Sequence, residues 1–451
     1  MPLLSTQVLE ARHAEATASR ILAVAIAIVL TLPASAATHE STFGFRGTNG
    51  SEPSAGLTFG PDGAIYGTTL FGSDGPCFQG CGTVYRLAKS QNGGVTESVI
   101  HTFQGELSDG QNPTSSVIFD AAGNLYGTAN GGMKGCGVVY KLSPTQTGEW
   151  TETILHNFNA FDGNNDGCIG GGNFSPTGSL IFDKSGNLFG TTPQGGGGVT
   201  DFFCQNGCGT VFRMTPQSDG SWTETVIHSF PNSGASNDGQ NPEVGVLMDA
   251  MGNLYGTTFL GGERGLGLVY ELKPGANSSY TEKVLFNFRG GATGAQPNGA
   301  LVRDGTGRLF GTTFAGSTCS NCAGVAYMLT PTNQGEWKET VIHVFDSGID
   351  NDGTFPQGLV MDSHGDLFGN TQYGGGNSGL CPNLDGCGTV YELSPGTNGV
   401  WLEKLLFSFD EGLDGGVPDN DHLIMDKAGN LLGTTLFGGP DNIGVVFRVT
   451  P

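Results

Sequence analysis

Basic residues are scarce in this chain of 451 residues. Lys and Arg number 19 against 42 Asp and Glu, a net charge of −23. So acidic a surface repels a phosphate backbone at long range, which excludes a general nucleic-acid binder and makes an anionic membrane surface an unfavourable partner. Charge of either sign is sparse, at 14% of residues, while 37% are hydrophobic. A disordered acidic tail would reverse that balance. Long apolar runs are missing too: the stretch Ile21 to Leu32 has only 12 residues, too short to span a bilayer. Helical periodicity is absent from the repeated part of the chain, as are a Gly-x-Ser-x-Gly elbow, a His-Glu-x-x-His pair and a Gly-rich loop leading into a helix. The serine-hydrolase, zincin and nucleotide-loop readings therefore fail.

The apolar stretch reads instead as an export signal. Arg12 and Arg20 precede it, and Pro33-Ala34-Ser35-Ala36 supplies an Ala-x-Ala cleavage site before Ala37. Residues 1–36 are expected to be a signal peptide and residues 37–451 a secreted, extracytoplasmic protein with no membrane insertion after cleavage. An N-terminal anchor is the rival reading, and the short run disfavours it.

What the chain has in abundance is Gly, 78 residues, with 21 Pro. They punctuate a repeat. The phrase GAIYGTT at Gly63 returns as GNLYGTA at Gly123, GNLFGTT at Gly186, GNLYGTT at Gly252, GRLFGTT at Gly307, GDLFGNT at Gly365 and GNLLGTT at Gly429, at offsets of 60, 63, 66, 55, 58 and 64 residues. Each unit carries four short β-like runs; in the second they are 116–120, 124–128, 138–142 and 150–158. Asp120-Ala-Ala-Gly123 separates the first two runs. Asp bonds its own backbone in such a turn and Gly takes the left-handed conformation, so this Asp and those at 183, 249, 304, 362 and 426 are turn formers. Gly60 stands at that position in the first repeat.

Four antiparallel strands repeated seven times predict an all-β, seven-bladed β-propeller. The chain ends on Val445 to Val449, only a third strand, while Thr38-His-Glu-Ser-Thr-Phe-Gly-Phe45 near the N-terminus resembles the fourth strand Thr223 to Phe230. The N-terminal strand is expected to complete the last blade and close the ring, removing the open ends of a linear stack. The GNLYGTT, GCGTVY and WTETVIHSF segments resemble the GloVer-type tandem repeat proteins, the "choice-of-anchor" group of exported bacterial proteins, and the resemblance covers residues 37 to 451. It implies an exported repeat protein and brings no catalytic residues with it.

All ten Cys lie in the mature part. Cys77/Cys81, Cys204/Cys208, Cys319/Cys322 and Cys381/Cys387 are close pairs in second-to-third-strand loops, and Cys136 and Cys168 could form a fifth bridge. Disulfides are expected in an exported chain with an even count; zinc knuckles are the rival, disfavoured by varying spacing and the lack of His in these loops.

His101, His156, His228 and His343 share one repeat position, occupied elsewhere by Phe286, Phe407 and Phe43, so a packing role is expected. Trp150, Trp222, Trp337 and Trp401 open fourth strands and read as blade packing, with sugar stacking as the alternative. Glu97, Glu152, Glu224, Glu282, Glu339 and Glu403, two places on, read as charges guarding an outer edge. Asp-Gly precedes Pro in the blade-linking loops. Asp109, Asp166, Asp238, Asp346, Asp350, Asp352 and Asp414 read as plain turn formers there, with Ca²⁺ ligation as the alternative; no cofactor is expected, and calcium is the one candidate. Arg303 replaces Phe or Met of the other first strands, and His422 a small residue; both are candidate catalytic groups near the channel. The function expected is a non-catalytic binding or scaffold module, monomeric, for an extracellular protein or carbohydrate. The alternative is a polysaccharide lyase or hydrolase with its site at the channel mouth.

Overall fold

Alternating apolar positions in the repeats build seven sheets of four or five antiparallel strands. In the computed structural model the described residues are 36–451 except 74, 91, 106–108, 160–165, 167–175, 198–206, 231–237, 317–321, 347–351, 377–380, 382–385, 411 and 419–422. Residues 37–451 form one unit, an all-β ring of seven blades. The third blade shows the plan: Ile181–Phe182, Leu188–Thr192, Thr210–Pro216 and Trp222–Ser229 pair in sequence order.

The predicted hairpin turns are present. Asp120 accepts from the Ala122 and Asn124 N–H groups at 2.9 and 2.8 Å, and Gly123 holds φ at +84°. In the first blade, where Gly60 takes the Asp position, Asp62 accepts from Ala64 N–H at 3.1 Å instead.

The ring closes as expected. Thr38–Gly44 pairs antiparallel with Val445–Thr450, from Thr38 opposite Thr450 to Gly44 opposite Val445. Its register shifts between Ser41 and Phe43, as the fourth strand of the second blade shifts between Ile154 and His156. The borrowed strand thus copies even the bulge, which puts Thr42 at the position of Leu155.

Each of the seven apolar clusters joins two neighbouring blades, and the last, with Phe45, Leu57, Tyr85, Leu87, Leu432 and Val446, joins the seventh blade to the first. Their common element is an edge-on ring pair. Phe45 meets Tyr85 at 5.1 Å, Phe103 meets Tyr140 at 5.2 Å, and Phe409 meets Phe447 at 5.0 Å. The Gly of each Tyr-Gly-Thr-Thr phrase makes room for that ring, since a Cβ on Gly67 would stand 2.4 Å from Tyr85 Oη. The Trp residues pack as expected: Trp150 lies edge-on to Tyr66 and Trp222 to Tyr126, each in the preceding blade. Polar bonds follow the same seams: Thr128 Oγ1 donates to Pro176 O at 2.8 Å, Thr191 Oγ1 to Val244 O at 3.0 Å, and Thr434 Oγ1 to Ala55 O at 3.4 Å across the closure.

Among the described residues no helix is long and apolar enough to cross a membrane. Disulfides join Cys77 to Cys81 and Cys381 to Cys387. Cys136 and Cys208 are also disulfide-bonded. Cys168, Cys204, Cys319 and the side chain of Cys322 lie outside the described residues.

Candidate functional site

Three sets of residues that the sequence presents as separate features meet at the seams between blades. A fourth strand carries the His and turns its ring edge-on to the Phe two places along, as in His101 with Phe103 at 4.6 Å. The expected packing role holds, but the ring also presents Nε2 to the Asp of the next blade-linking loop. These separations are 3.6 Å for His101–Asp109, 2.6 Å for His156–Asp166, 3.9 Å for His228–Asp238 and 3.0 Å for His343–Asp352.

The loop fixes each Asp through its own backbone. Asp109 accepts from Gln104 N–H at 2.7 Å and Gly110 N–H at 2.6 Å; Asp166 accepts from Asn159 N–H at 2.7 Å. Asp352 accepts from Gly353 N–H at 2.8 Å and Asp346 N–H at 3.1 Å. These oxygens, considered above for Ca²⁺, therefore also organise the turn. Asp350 lies outside the described residues.

The third member is the Glu of the following blade's fourth strand. Expected to guard a solvent edge, it turns instead into the seam, because the strand twist aims alternate side chains at the neighbouring blade. Glu152 Oε1 lies 3.5 Å from His101 Nε2, with only 17% of its side chain exposed. Glu224 joins His156 and Asp166, and Glu282 joins His228 and Asp238, with the ligating atoms of each trio within 4.8 Å of one another. Glu403 is more exposed than the others, yet burial and the nearby Asp352 still push its carboxyl up, and His343 partly offsets them.

The electrostatics follow from burial and proximity. Burial pushes the Glu97 and Glu339 carboxyls up, Glu339 to about 7. For Glu152 and Glu282 burial is again the larger cause, and the adjacent Asp109 or Asp238 raises them further. Burial alone would also raise Asp109, but its interaction with His101 and the Gln104 N–H outweigh that and hold it below the usual range. Burial lowers His228 despite the attraction of Asp238. The His101 trio thus sets a carboxyl held down, Asp109, beside one pushed up, Glu152, a place for a shared proton or a cation.

The remaining seams vary this set in a regular way. Between the fourth and fifth blades the His position is Phe286 and the Asp position is Thr293, whose Oγ1 accepts from Arg289 N–H at 3.1 Å as Asp109 accepts from Gln104. Between the seventh and first blades they are Phe43 and Asn49, and Asn49 Nδ2 donates to Glu97 at 2.9 Å. Between the sixth and seventh blades Phe407 faces Asp414, but His39 stands at the Glu position and its Nδ1 lies 3.7 Å from Asp414. A loop Asp therefore occurs only where a His faces it. That association is visible in the sequence once the three positions are aligned across repeats, but only the fold shows that they touch.

Arg303 ends the first strand of the fifth blade and lies over the Tyr255 ring of the fourth at 5.9 Å. The Tyr255 hydroxyl lies within hydrogen-bond reach of both Glu271 and Asp249, at 3.1 and 3.3 Å, and its one proton can serve either. His422 lies outside the described residues.

A family model described as a Gloeobacter/Verrucomicrobia repeat matches residues 25–200 and 176–447. No curated protein matches the chain. Among solved structures, a gluconolactonase from Xanthomonas campestris is similar at 14% identity over 70% of this chain and 82% of that one, with a TM-score of 0.36. A second structure, described as a gluconolactonase, is similar at 15% identity over 70% and 84%, with a TM-score of 0.35. Likeness at this level carries no argument about chemistry.

Proposed function

The chain belongs to the Gloeobacter/Verrucomicrobia repeat family, and from that premise we propose that the mature protein is a secreted, non-catalytic binding or scaffold ring for an extracellular protein or carbohydrate. The observation that carries this reading is the periodicity of its polar groups. A catalytic site on a repeat fold needs local departures gathered in two or three neighbouring blades. Here the His, Asp and Glu sets recur at four seams distributed round the ring, and the raised carboxyls Glu97, Glu152, Glu282 and Glu339 sit at four different seams. The disulfides and the acidic surface agree with an extracytoplasmic location.

A polysaccharide-active enzyme is the second reading, and Arg303 favours it. This exposed cation breaks the repeat over the Tyr255 ring, and a guanidinium in that place could pair with the carboxylate of an acidic sugar. Fluorescent mature protein, residues 37–451, on a glycan array separates the two readings when each bound glycan is then incubated with the protein and assayed for cleavage. Saturable binding without new reducing ends or unsaturated products supports the binding ring. Cleavage that Arg303→Ala abolishes would replace it with the enzyme.

A further inference from the structure

The seam trios differ from one another in one respect. His156 and His343 each touch their Asp directly, at 2.6 and 3.0 Å, so one hydrogen bond satisfies the ring nitrogen. His101 and His228 do not. His101 Nε2 stands 3.6 Å from Asp109 and 3.5 Å from Glu152, and His228 Nε2 stands 3.9 Å from Asp238. His101 Nε2, Glu152 Oε1, His228 Nε2 and Glu282 Oε1 are all buried without a hydrogen bond of ordinary geometry. Buried polar atoms left this way call for an explanation.

We propose that the His101–Asp109–Glu152 and His228–Asp238–Glu282 trios are binding sites for a divalent transition metal of the zinc class, each clamping two adjacent blades. Three features of the geometry support this. Ligands about 2.0–2.2 Å from a tetrahedral ion stand roughly 3.3–3.6 Å apart, too far for good mutual hydrogen bonds and close to the separations at His101. The donor set, one imidazole nitrogen and two carboxylates, suits zinc and disfavours calcium, which takes oxygen ligands. The supporting shell is built: backbone N–H groups of Gln104 and Gly110 hold Asp109, Gly239 N–H donates to Asp238 at 2.7 Å, and Phe103 and Phe230 orient the two imidazole rings.

The variation between seams points the same way. Were the His only a packing residue interchangeable with Phe, the loop Asp should not depend on it. Instead, Phe286 is accompanied by Thr293 and Phe43 by Asn49, and where Phe407 keeps Asp414 a nitrogen is supplied by His39 from the Glu position, so a loop carboxylate goes with an imidazole. One proton shared by the two carboxylates would explain the retained Glu but leaves both ring nitrogens unsatisfied.

The test uses the mature protein, stripped by chelator and dialysed, then titrated with Zn²⁺ by calorimetry and with Co²⁺ by absorption spectroscopy. About two equivalents should bind, one per trio, with d–d bands of low-symmetry Co²⁺ and a Zn²⁺-dependent rise in melting temperature. His101→Phe and His228→Phe place the residue that other blades carry at this position, so both should fold. Each should lose one equivalent, and the double variant both, along with the zinc-dependent rise. His343→Phe should retain both equivalents. Should a Phe variant melt early in chelator, Glu152→Gln, which keeps the side chain's shape, must still remove one equivalent. A protein that retains no zinc at micromolar free metal, or a double variant that binds as much as the parent, overturns the proposal and leaves the trios as proton-sharing pairs.

Discussion

His39 lies flat on Phe407, ring centroids 3.9 Å apart and 7° from parallel. The two have exchanged roles relative to the other seams: Phe407 stands where His101 stands, and His39 where Glu152 stands. The imidazole that answers Asp414 therefore comes from the borrowed N-terminal strand. Burial lowers the His39 pKa although Asp414 and Asp410 attract its charge.

That exchange predicts a specific double-mutant result. His39→Glu restores the residue found in other blades, yet it places a second carboxylate beside Asp414 with no imidazole to face either. It should cost ~1–3 kcal/mol at pH 8, the range for a buried group left unpaired. Adding Phe407→His rebuilds the common trio and should recover most of the loss. Urea melts of both singles and the double check it; additive losses would show that the two positions are independent.

Ring closure should be essential to stability. Phe45 is fully buried and Phe43 lies edge-on to it at 5.2 Å, so deleting residues 37–46 removes both and bares the edge of Val445–Thr450. Burying each Phe fully is worth ~1.5–3 kcal/mol, a large part of a typical margin of ~5–15 kcal/mol. The truncated chain should aggregate or melt far below the mature protein, whereas removing residues 1–36 should do neither. Calorimetric scans of the three forms decide the matter.

The pH dependence should carry the signature of Glu339. Its folded pKa is raised by burial from 4.5 to about 7. Stability tied to its neutral form is fully present below 4.5 and is lost as the pH rises through about 7, because the unfolded chain ionises first. Glu339→Gln keeps the neutral shape and should flatten the stability curve across that window. Denaturant midpoints measured every half pH unit would reveal it, and parallel curves for the two proteins would refute it.

The five buried third-strand tyrosines offer a cleaner test of packing against hydrogen bonding. Tyr270 is fully buried with its hydroxyl lacking a hydrogen-bond partner, and other blades carry Phe212 or Phe447 at this position. Tyr270→Phe should change stability by no more than ~0.5 kcal/mol or raise it. Tyr270→Ala should cost ~3–5 kcal/mol, because the ring fills the seam against Phe230. Chemical denaturation of both variants separates the two contributions.

Non-reducing peptide mapping should recover the Cys77–Cys81 and Cys381–Cys387 links of the structure. It should also find Cys136 joined to Cys168, Cys204 to Cys208 and Cys319 to Cys322. Cys136 or Cys208 recovered with any other partner would refute that assignment. Short loops gain little from closure, toward the low end of ~2–4 kcal/mol each, so reduction should lower the melting temperature modestly.

The sequence by itself determined the ring. Seven copies of one phrase, an Asp-x-x-Gly turn between the first two strands of six repeats and a spare strand at the N-terminus are local signals, and each acts over a few residues or recurs at a near-regular spacing. Even the partner of Thr38–Gly44 could be named, because a missing fourth strand and a surplus one are both countable. Tertiary structure alone decided what meets between blades. His101, Asp109 and Glu152 read separately as a packing residue, a turn former and an edge charge, and each reading is reasonable for a residue in isolation. They sit on two strands and a loop from two blades, and the strand twist that turns Glu152 inward is a property of assembled sheets. Their chemistry arises from burial and proximity. Neither exists until neighbouring blades close over the three side chains.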